Sequence, residues 1–167
     1  HSHTEYSLLD GVKNSKDFIA AAKAKNIDSY AITEHGNMSS AMGFYLEAIK
    51  PENNVKPIFG VEAYIVDDSK EKNKEVKSSH IVLLARNNIG FENLLKLSNY
   101  SWNEGFYYKP RIDFNVLKEH RMGLIALTAC MGGVLSNTIR YKDIDATAIR
   151  LRKLKKIFGK KLYLEIQ

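Results

Sequence analysis

Two histidines separated by one residue open the chain, in the stretch His-Ser-His-Thr-Glu-Tyr-Ser-Leu-Leu-Asp-Gly. In a β-strand, residues two apart project from the same face, so His1 and His3 would point side by side, as metal ligands need to. Asp10 follows on a predicted turn that ends in Gly11. A surface His-x-His pair is common by chance, so alone it is a weak indication of a metal site.

Residues of suitable chemistry recur in or beside other strand-like runs. They are Glu34, His35, Glu62, His80 and Cys130. Imidazole nitrogens, carboxylate oxygens and a thiolate form a donor set that zinc accepts, and the nitrogen and oxygen part also suits manganese or iron. The set is too large for one tetrahedral ion, whereas two or three ions bridged by a carboxylate would use it. Such a cluster lowers the pKa of bound water and clamps a phosphoryl oxygen, which suits phosphoester hydrolysis.

Structural explanations compete with the metal interpretation. A histidine at a strand start, such as His80, is often a hydrogen-bonded core residue, and Cys130 after an apolar strand is often a small buried hydrophobe. Glu62 is harder to explain in this way, because a buried carboxylate must be paired or bound to a metal. His120 lies near a predicted helix C-terminus, where the helix dipole favours a cation, and it is not predicted to be a ligand.

Strand-like and helix-like runs alternate along the chain. Strands are predicted at 1–3, 29–36, 56–66, 80–85, 123–130 and 162–167, and helices at 18–26, 41–50, 89–102, 113–120, after Gly132 and at 151–158. This alternation predicts βαβ units around a parallel sheet, open or closed into a barrel, with ligands at the C-terminal ends of the strands. Glu62 and His80 lie within or at the start of their strands, which this topology does not explain.

Composition limits the classes of protein. The 167 residues fit one domain, and 44% hydrophobic and 26% charged residues are ordinary for a globular protein. No apolar run reaches the roughly 18 residues of a membrane span, so no membrane partner is expected. The single cysteine cannot form an internal disulfide, so a cytoplasmic location is expected.

The net charge of +6 comes from one segment, because residues 140–161 hold nine Lys or Arg against two Asp. A globally basic nucleic-acid binder is therefore not indicated. Two interpretations of the helix face Arg150 to Lys156 stay open, a solvated face and a DNA contact. In the connection Gly105 to Ile112, aromatic and basic residues could stack on bases and bind phosphate, or could pack over a barrel end.

Five segments, taken in chain order, resemble the PHP (polymerase and histidinol phosphatase) domain. They are residues 1–11, Thr33-Glu-His-Gly-Asn37, Gly60-Val-Glu-Ala-Tyr64, Glu104-Gly-Phe-Tyr-Tyr-Lys-Pro-Arg-Ile112 and Gly123-Leu-Ile-Ala-Leu-Thr-Ala-Cys-Met-Gly-Gly133. The likeness runs from residue 1 to 167 and includes the PHP domains of bacterial replicative DNA polymerase III alpha subunits. On this comparison the chain is expected to be about the N-terminal two-thirds of the domain, incomplete at both ends and without the polymerase domains.

The resemblance implies a distorted (β/α)7 barrel with two or three bound ions, Zn²⁺ or Mn²⁺, with Fe as a further option. The metal ligands it implies are His1, His3, Asp10, His35, Glu62, His80 and Cys130. Glu62 would bridge ions, and Glu34 stands where Asp is usual. His1, His3 and Glu62 are expected to act in catalysis through the metal, and Arg111 and Lys109 to bind substrate.

The implied function is metal-dependent 3′–5′ exonuclease or phosphoesterase chemistry within a DNA-directed DNA polymerase of DNA replication. The implied partners are DNA, the remaining domains of the polymerase alpha subunit and other replisome subunits. Two alternatives remain open from the sequence. One is a non-catalytic scaffold for the polymerase, and the other is a stand-alone phosphomonoesterase resembling histidinol phosphatase.

Overall fold

The structure is a computed structural model that describes residues 1–167. The helices are α1 (Ser15–Ala24), α2 (Ala41–Ala48), α3 (Asn88–Asn103), α4 (Phe114–Glu119), α5 (Ser136–Arg140) and α6 (Ile144–Phe158), and a 3₁₀ turn spans Gly159–Lys161. The strands are β1 (Ser29–His35), β2 (Lys56–Val66), β3 (Ser79–Ala85), β4 (Arg111–Asp113), β5 (Leu124–Leu127) and β6 (Leu162–Tyr163). No helix has the length and apolar character needed to cross a membrane.

The six strands form one mixed sheet in the order β1-β2-β3-β5-β6, with β4 paired to the end of β2. The pairs β1–β2, β2–β4 and β5–β6 are parallel, whereas β3 runs antiparallel to both β2 and β5. The prediction of a wholly parallel sheet is therefore wrong, because the loop at 67–78 contains no helix and reverses the chain. An α/β fold is confirmed, and the closed (β/α)7 barrel is not.

Local sequence explains most element boundaries. A capping box opens α1, since Asn14 and Asp17 exchange side-chain and backbone hydrogen bonds. Asp113 caps α4 by accepting from two backbone amides. Ser40 precedes α2 but makes no capping hydrogen bond.

Three predicted element boundaries differ from the structure. The strand predicted at 162–167 pairs only at Leu162 and Tyr163, and the helix predicted after Gly132 begins at Ser136. Residues 1–3 are extended but are not part of an assigned strand.

Apolar side chains cover the sheet in two clusters. The larger cluster packs helices α3, α4 and α6 against the centre of the sheet, around residues such as Ile81, Leu83, Leu97, Leu117 and Leu154. The smaller cluster packs α1 and α2 beside β1; its buried members are Ile19, Ala22, Ile32, Phe44, Ala48 and Val55. This packing makes β1, β2 and β3 a rigid base for the polar residues at one edge of the sheet.

The two margins of the sheet approach each other. The extended N-terminal segment lies along β1, because Thr33 N–H donates to Ser2 O at 2.9 Å. The segment after β6 reaches the same place, where Gln167 Nε2 lies 2.7 Å from His1 Nδ1. The segments that flank the two margins of the sheet therefore meet at His1 and Gln167.

Candidate metal centre

The N-terminal segment places two imidazoles above the end of β1. Ser2 is held on both sides by Thr33, since its N–H also donates to Thr33 Oγ1 at 2.8 Å. His1 and His3 therefore project to the same side, and their ring centroids lie 5.1 Å apart. The side-by-side arrangement predicted from the i, i+2 spacing is present, although the segment lacks the hydrogen bonds of a regular strand.

Glu62 lies at the middle of β2 and is the centre of the cluster. Its side chain is only 1% exposed, and each of its two oxygens faces a pair of imidazoles. Oε2 contacts His1 Nε2 and lies 3.2 Å from His3 Nε2. Oε1 lies 3.0 Å from His35 Nδ1 and 2.9 Å from His80 Nδ1. One buried carboxylate thus bridges two pairs of nitrogen donors.

The antiparallel direction of β3 explains why His80 reaches the cluster although it lies at the start of its strand. In a parallel sheet the start of a strand lies at the opposite edge from the strand ends that carry a site. Here Tyr64 pairs with His80 and Glu62 with Val82, so the start of β3 lies beside the far end of β2. His80 consequently meets His35, which ends β1, at a ring separation of 6.5 Å.

Asp10 reaches the cluster on a tightly folded loop. Its Oδ2 lies 2.7 Å from His35 Nε2, and its side chain is 58% exposed. The loop is closed by Gly11, where a Cβ atom would lie 1.9 Å from the carbonyl oxygen of Thr4. Only glycine allows this approach, so Gly11 places Asp10 at the open side of the cluster.

Cys130 lies at the margin of the cluster. Its Sγ is 4.0 Å from His80 Nδ1. Backbone hydrogen bonds join His80 to Gly132 and Val134, so the loop after β5 is fixed beside the start of β3. The thiol therefore lies beside His80, which itself contacts Glu62.

The electrostatics of the cluster favour bound cations. Burial alone would raise the pKa of Glu62, but hydrogen bonds from the four imidazoles outweigh burial and hold that pKa far below its usual value. The hydrogen bond to Glu62 raises the pKa of both His1 and His35. The hydrogen bond with His35 lowers the pKa of Asp10. Glu62 is thus a fixed buried anion that needs positive charge on its neighbours.

The donor set fits divalent metal ions. Ligand atoms of His1, His3 and Glu62 lie within 4.8 Å of one another, and so do those of His3, Asp10 and His35. The two groups share His3, and His80 faces the other oxygen of Glu62. Nitrogen and carboxylate donors around a bridging oxygen pair suit two or more ions of zinc, manganese or iron.

The two residues predicted to bind substrate have different environments. Arg111 is 2% exposed, and its guanidinium donates to the backbone oxygens of Gly105 at 3.1 Å and Ser69 at 2.9 Å. It fastens the two neighbouring loops and is almost wholly shielded from solvent. Lys109 is exposed, and its Nζ lies 4.5 Å from the centre of the Tyr64 ring.

Several polar residues lie behind the cluster, and the sequence does not predict their arrangement. Glu34 is a candidate ligand by residue type, but alternation along β1 turns it to the opposite side from His35, where it is buried with Thr4 and Ser7. Glu165 was not identified from the sequence, and its Oε1 lies 3.8 Å from His1 Nδ1. The Thr and Ser positions carry no signal of their own in a single sequence, because small hydroxyl residues are common in turns.

Comparisons with known proteins show the family to which the sequence is similar. The sequence pattern of the family described as "PHP domain" matches residues 1–167. The chain is 43% identical to the DNA polymerase III subunit alpha of Borreliella burgdorferi and 39% identical to that of Aquifex aeolicus, with all of this chain aligned in both cases. It spans 15% of the length of each of these relatives.

A solved structure shares the fold. It is a protein from Bifidobacterium adolescentis described as a candidate metal-dependent phosphoesterase, with a TM-score of 0.54 and 13% sequence identity. The superposition covers 99% of this chain and 75% of that one.

Proposed function

Since this chain belongs to the PHP domain family, we propose that it carries a metal-dependent phosphoesterase site that removes nucleotides from the 3′ end of DNA. The observation that carries the proposal is the buried Glu62 carboxylate with four imidazoles on its two oxygens. The relatives named DNA polymerase III subunit alpha support a role in DNA replication. The proposed partners are DNA, further polymerase domains and other replisome subunits, and the proposed location is the cytoplasm.

The ligands divide into two groups around Glu62. His1 and His3 would hold one ion with Oε2, and His35 and His80 would serve a second with Oε1. Asp10 and Cys130 would complete the set from the open side and from the margin. When bound, such ions supply an activated water and neutralise charge on a phosphoryl oxygen. We include the (β/α)7 barrel in this proposal, and the contact between the segments that flank the two sheet margins supports it.

Lys109 is positioned to hold a substrate phosphate next to this centre. Its ammonium sits over Tyr64, and the Tyr64 ring lies 5.2 Å from that of His80. An exposed ammonium so close to the imidazoles gives a phosphate diester a positive partner on the open side of the site. Lys109 would thus orient the substrate, while Arg111 acts only from the interior.

A basic and aromatic groove leads away from Lys109. It has a volume of about 450 Å³, and no acidic residue lines it. Its lining includes Tyr107, Tyr108, Lys74 and Lys77, and Tyr108 is 70% exposed. Exposed rings stack on bases and ammonium groups follow a phosphate backbone, so the groove suits single-stranded nucleic acid.

The test is release of nucleotide from a 3′-labelled single strand, with and without chelator. Wild-type protein is expected to release label in a chelator-sensitive reaction, Glu62→Gln to abolish it and His120→Gln to leave it unchanged. Lys109→Ala is expected to raise KM more than it lowers kcat. A small aryl phosphate monoester should be a poor substrate.

Preference for the monoester would assign the site to a stand-alone phosphomonoesterase instead. Absence of chelator-sensitive release from metal-loaded protein would favour the non-catalytic scaffold.

A further inference from the structure

A buried hydrogen-bond network lies directly behind the proposed ligands. Thr4, Ser7 and Glu34 are 0%, 1% and 1% exposed. None of the three contacts Glu62, and the ligand assignments do not explain why they are buried together. Buried polar side chains are costly unless every donor and acceptor has a partner, so the partners define the function of the network.

Glu34 acts only as an acceptor in this network. The N–H of Thr4 donates to both of its oxygens, at 3.2 and 3.1 Å, and Thr4 Oγ1 donates to Oε1 at 2.5 Å. Ser7 Oγ donates to Oε2 at 2.5 Å. The Thr4 hydroxyl oxygen also accepts from the N–H of Tyr6 at 3.3 Å, which leaves the Thr4 hydroxyl proton for Glu34. Ser7 has a single hydroxyl proton, and its hydrogen bond to Glu34 uses that proton.

Ser7 consequently can only accept from its other two neighbours. The N–H of His35 donates to Ser7 Oγ at 3.0 Å. The remaining lone pair faces His3 Nδ1 at 3.2 Å. A hydroxyl oxygen with its proton already used requires a donor at that nitrogen, so Nδ1 carries the proton.

We propose that Ser7, held by Glu34, is a positioning residue that keeps a proton on Nδ1 of His3, so that His3 would bind metal through Nε2. Nε2 lies 3.2 Å from Glu62 Oε2 and is its hydrogen-bond partner in this structure. A metal ion bound between these two atoms would take the place of the Nε2 proton, while Ser7 keeps the proton on Nδ1. The hydroxyl thereby fixes the orientation of His3, as hydrogen bonds to ligating histidines do in metal sites.

The same hydroxyl joins two ligands through one atom. Ser7 Oγ accepts from the backbone of His35 and from the ring of His3, and these two rings stack at 4.0 Å with an interplanar angle of 14°. Loss of the hydroxyl would release the orientation of His3 and leave the His35 amide without its acceptor. The role of His3 toward metal rests on the proposed function, whereas the hydrogen bonds of Ser7 do not.

The first measurement is which ring nitrogen of His3 binds metal in Zn²⁺-loaded protein. Nitrogen NMR of ¹⁵N-histidine-labelled chain distinguishes a ring bound through Nε2 from one bound through Nδ1, and the chain has only five histidines to assign. Wild-type His3 is expected to keep its proton on Nδ1 and to bind through Nε2. Binding through Nδ1 in the wild type overturns the proposal without any variant.

Variants then test the cause. Ser7→Ala should abolish the preference of His3 for binding through Nε2 and weaken Zn²⁺ or Mn²⁺ binding about 10- to 100-fold. Ser7→Thr, which keeps the hydroxyl, should restore both. Ser40→Ala is the matched control, because Ser40 is also 1% exposed but its Oγ has no hydrogen-bond partner.

Unchanged binding through Nε2 and unchanged metal affinity in folded Ser7→Ala would overturn the proposal. Equal loss of affinity in Ser40→Ala would do the same, because it would show a general effect of removing a buried hydroxyl. If DNA hydrolysis is absent while metal binding by His3 behaves as expected, the proposed activity fails and this inference stands.

Discussion

Replacement of Glu62 by glutamine is the most direct perturbation of the proposed centre. Glutamine keeps the shape of the side chain but replaces one oxygen by an NH₂ group, which cannot bind a metal ion. Because Oε1 faces His35 and His80 while Oε2 faces His1 and His3, glutamine can serve only one pair. We therefore expect Glu62→Gln to bind at least one metal equivalent fewer than the wild type.

The size of the effect follows from the linkage between binding and folding. At a free metal concentration 100 times Kd, binding stabilises a protein by about 2.7 kcal/mol. A 100-fold weaker site would leave about 0.4 kcal/mol, so about 2.3 kcal/mol would be lost. For a chain of 167 residues, each kcal/mol shifts Tm by roughly 2–4 °C, which gives a smaller metal-induced shift by about 5–9 °C.

The assay combines elemental analysis with thermal unfolding, with and without chelator. His120→Gln is the control, because His120 lies at the C-terminus of α4, outside the cluster. Wild-type stoichiometry and an unchanged metal-induced Tm shift in Glu62→Gln would refute the bridging assignment. An equal loss in His120→Gln would refute the ligand set.

The other predictions concern charge and burial. In metal-free protein the pKa values of His1 and His35 lie above 6.5, because both imidazoles hydrogen-bond to Glu62. The stability that these contacts give should be fully present below pH 6.5 and should be lost as pH rises through the raised pKa values. Urea unfolding measured across this pH range checks the prediction. Arg111→Lys should lower the free energy of unfolding by about 3–5 kcal/mol, since two buried charge-assisted hydrogen bonds are disturbed, and should leave KM unchanged; a raised KM with native stability would restore Arg111 as a phosphate ligand. Reversing the charge of Lys155 and Lys156 should leave DNA affinity at low salt unchanged; weaker binding with a flatter salt dependence would assign that helix face to DNA.

Two basic residues of α6 pair with an acidic residue of a neighbouring loop. Asp67 pairs with Arg150 at 3.2 Å and with Lys153 at 3.3 Å, and these cations outweigh burial to lower its pKa. Lys153 also lies over the Phe114 ring, at 4.8 Å from its centre. Two members of the face that could have contacted DNA thus hold α6 against the loop after β2, which favours the solvated interpretation.

Much of the fold could be predicted from local patterns. The runs that became β1 and β2 carry buried apolar residues between polar ends, and the capping residues Asn14 and Asp113 mark their helices by hydrogen bonds that need no tertiary context. The residues that could bind metal could also be recognised one by one from their types. The sequence did not predict that they meet at one site, because hydrophobic patterns do not show the direction in which a strand runs.

A signal for the antiparallel strand was nevertheless present. Parallel neighbours need a crossover connection, usually a helix, and residues 67–78 carry no helical pattern. An antiparallel β3 was thus the simpler inference, and it would have placed His80 beside the end of β2. Burial of Arg111 had no such signal, since a basic residue in an aromatic loop suits a phosphate site as well as an internal tether.

The charge on Glu62 connects the fold to the proposed chemistry. An unpaired buried carboxylate would cost several kcal/mol, so the side chain persists only with compensating cations around it. Without metal, protons on the imidazoles supply that charge, and the raised pKa values of His1 and His35 are the consequence. With metal, the same nitrogens must release those protons, so protons and ions compete for one set of atoms. A structural core residue would need no such exchangeable partners, and four imidazoles on one carboxylate are therefore better explained by an ion site than by packing.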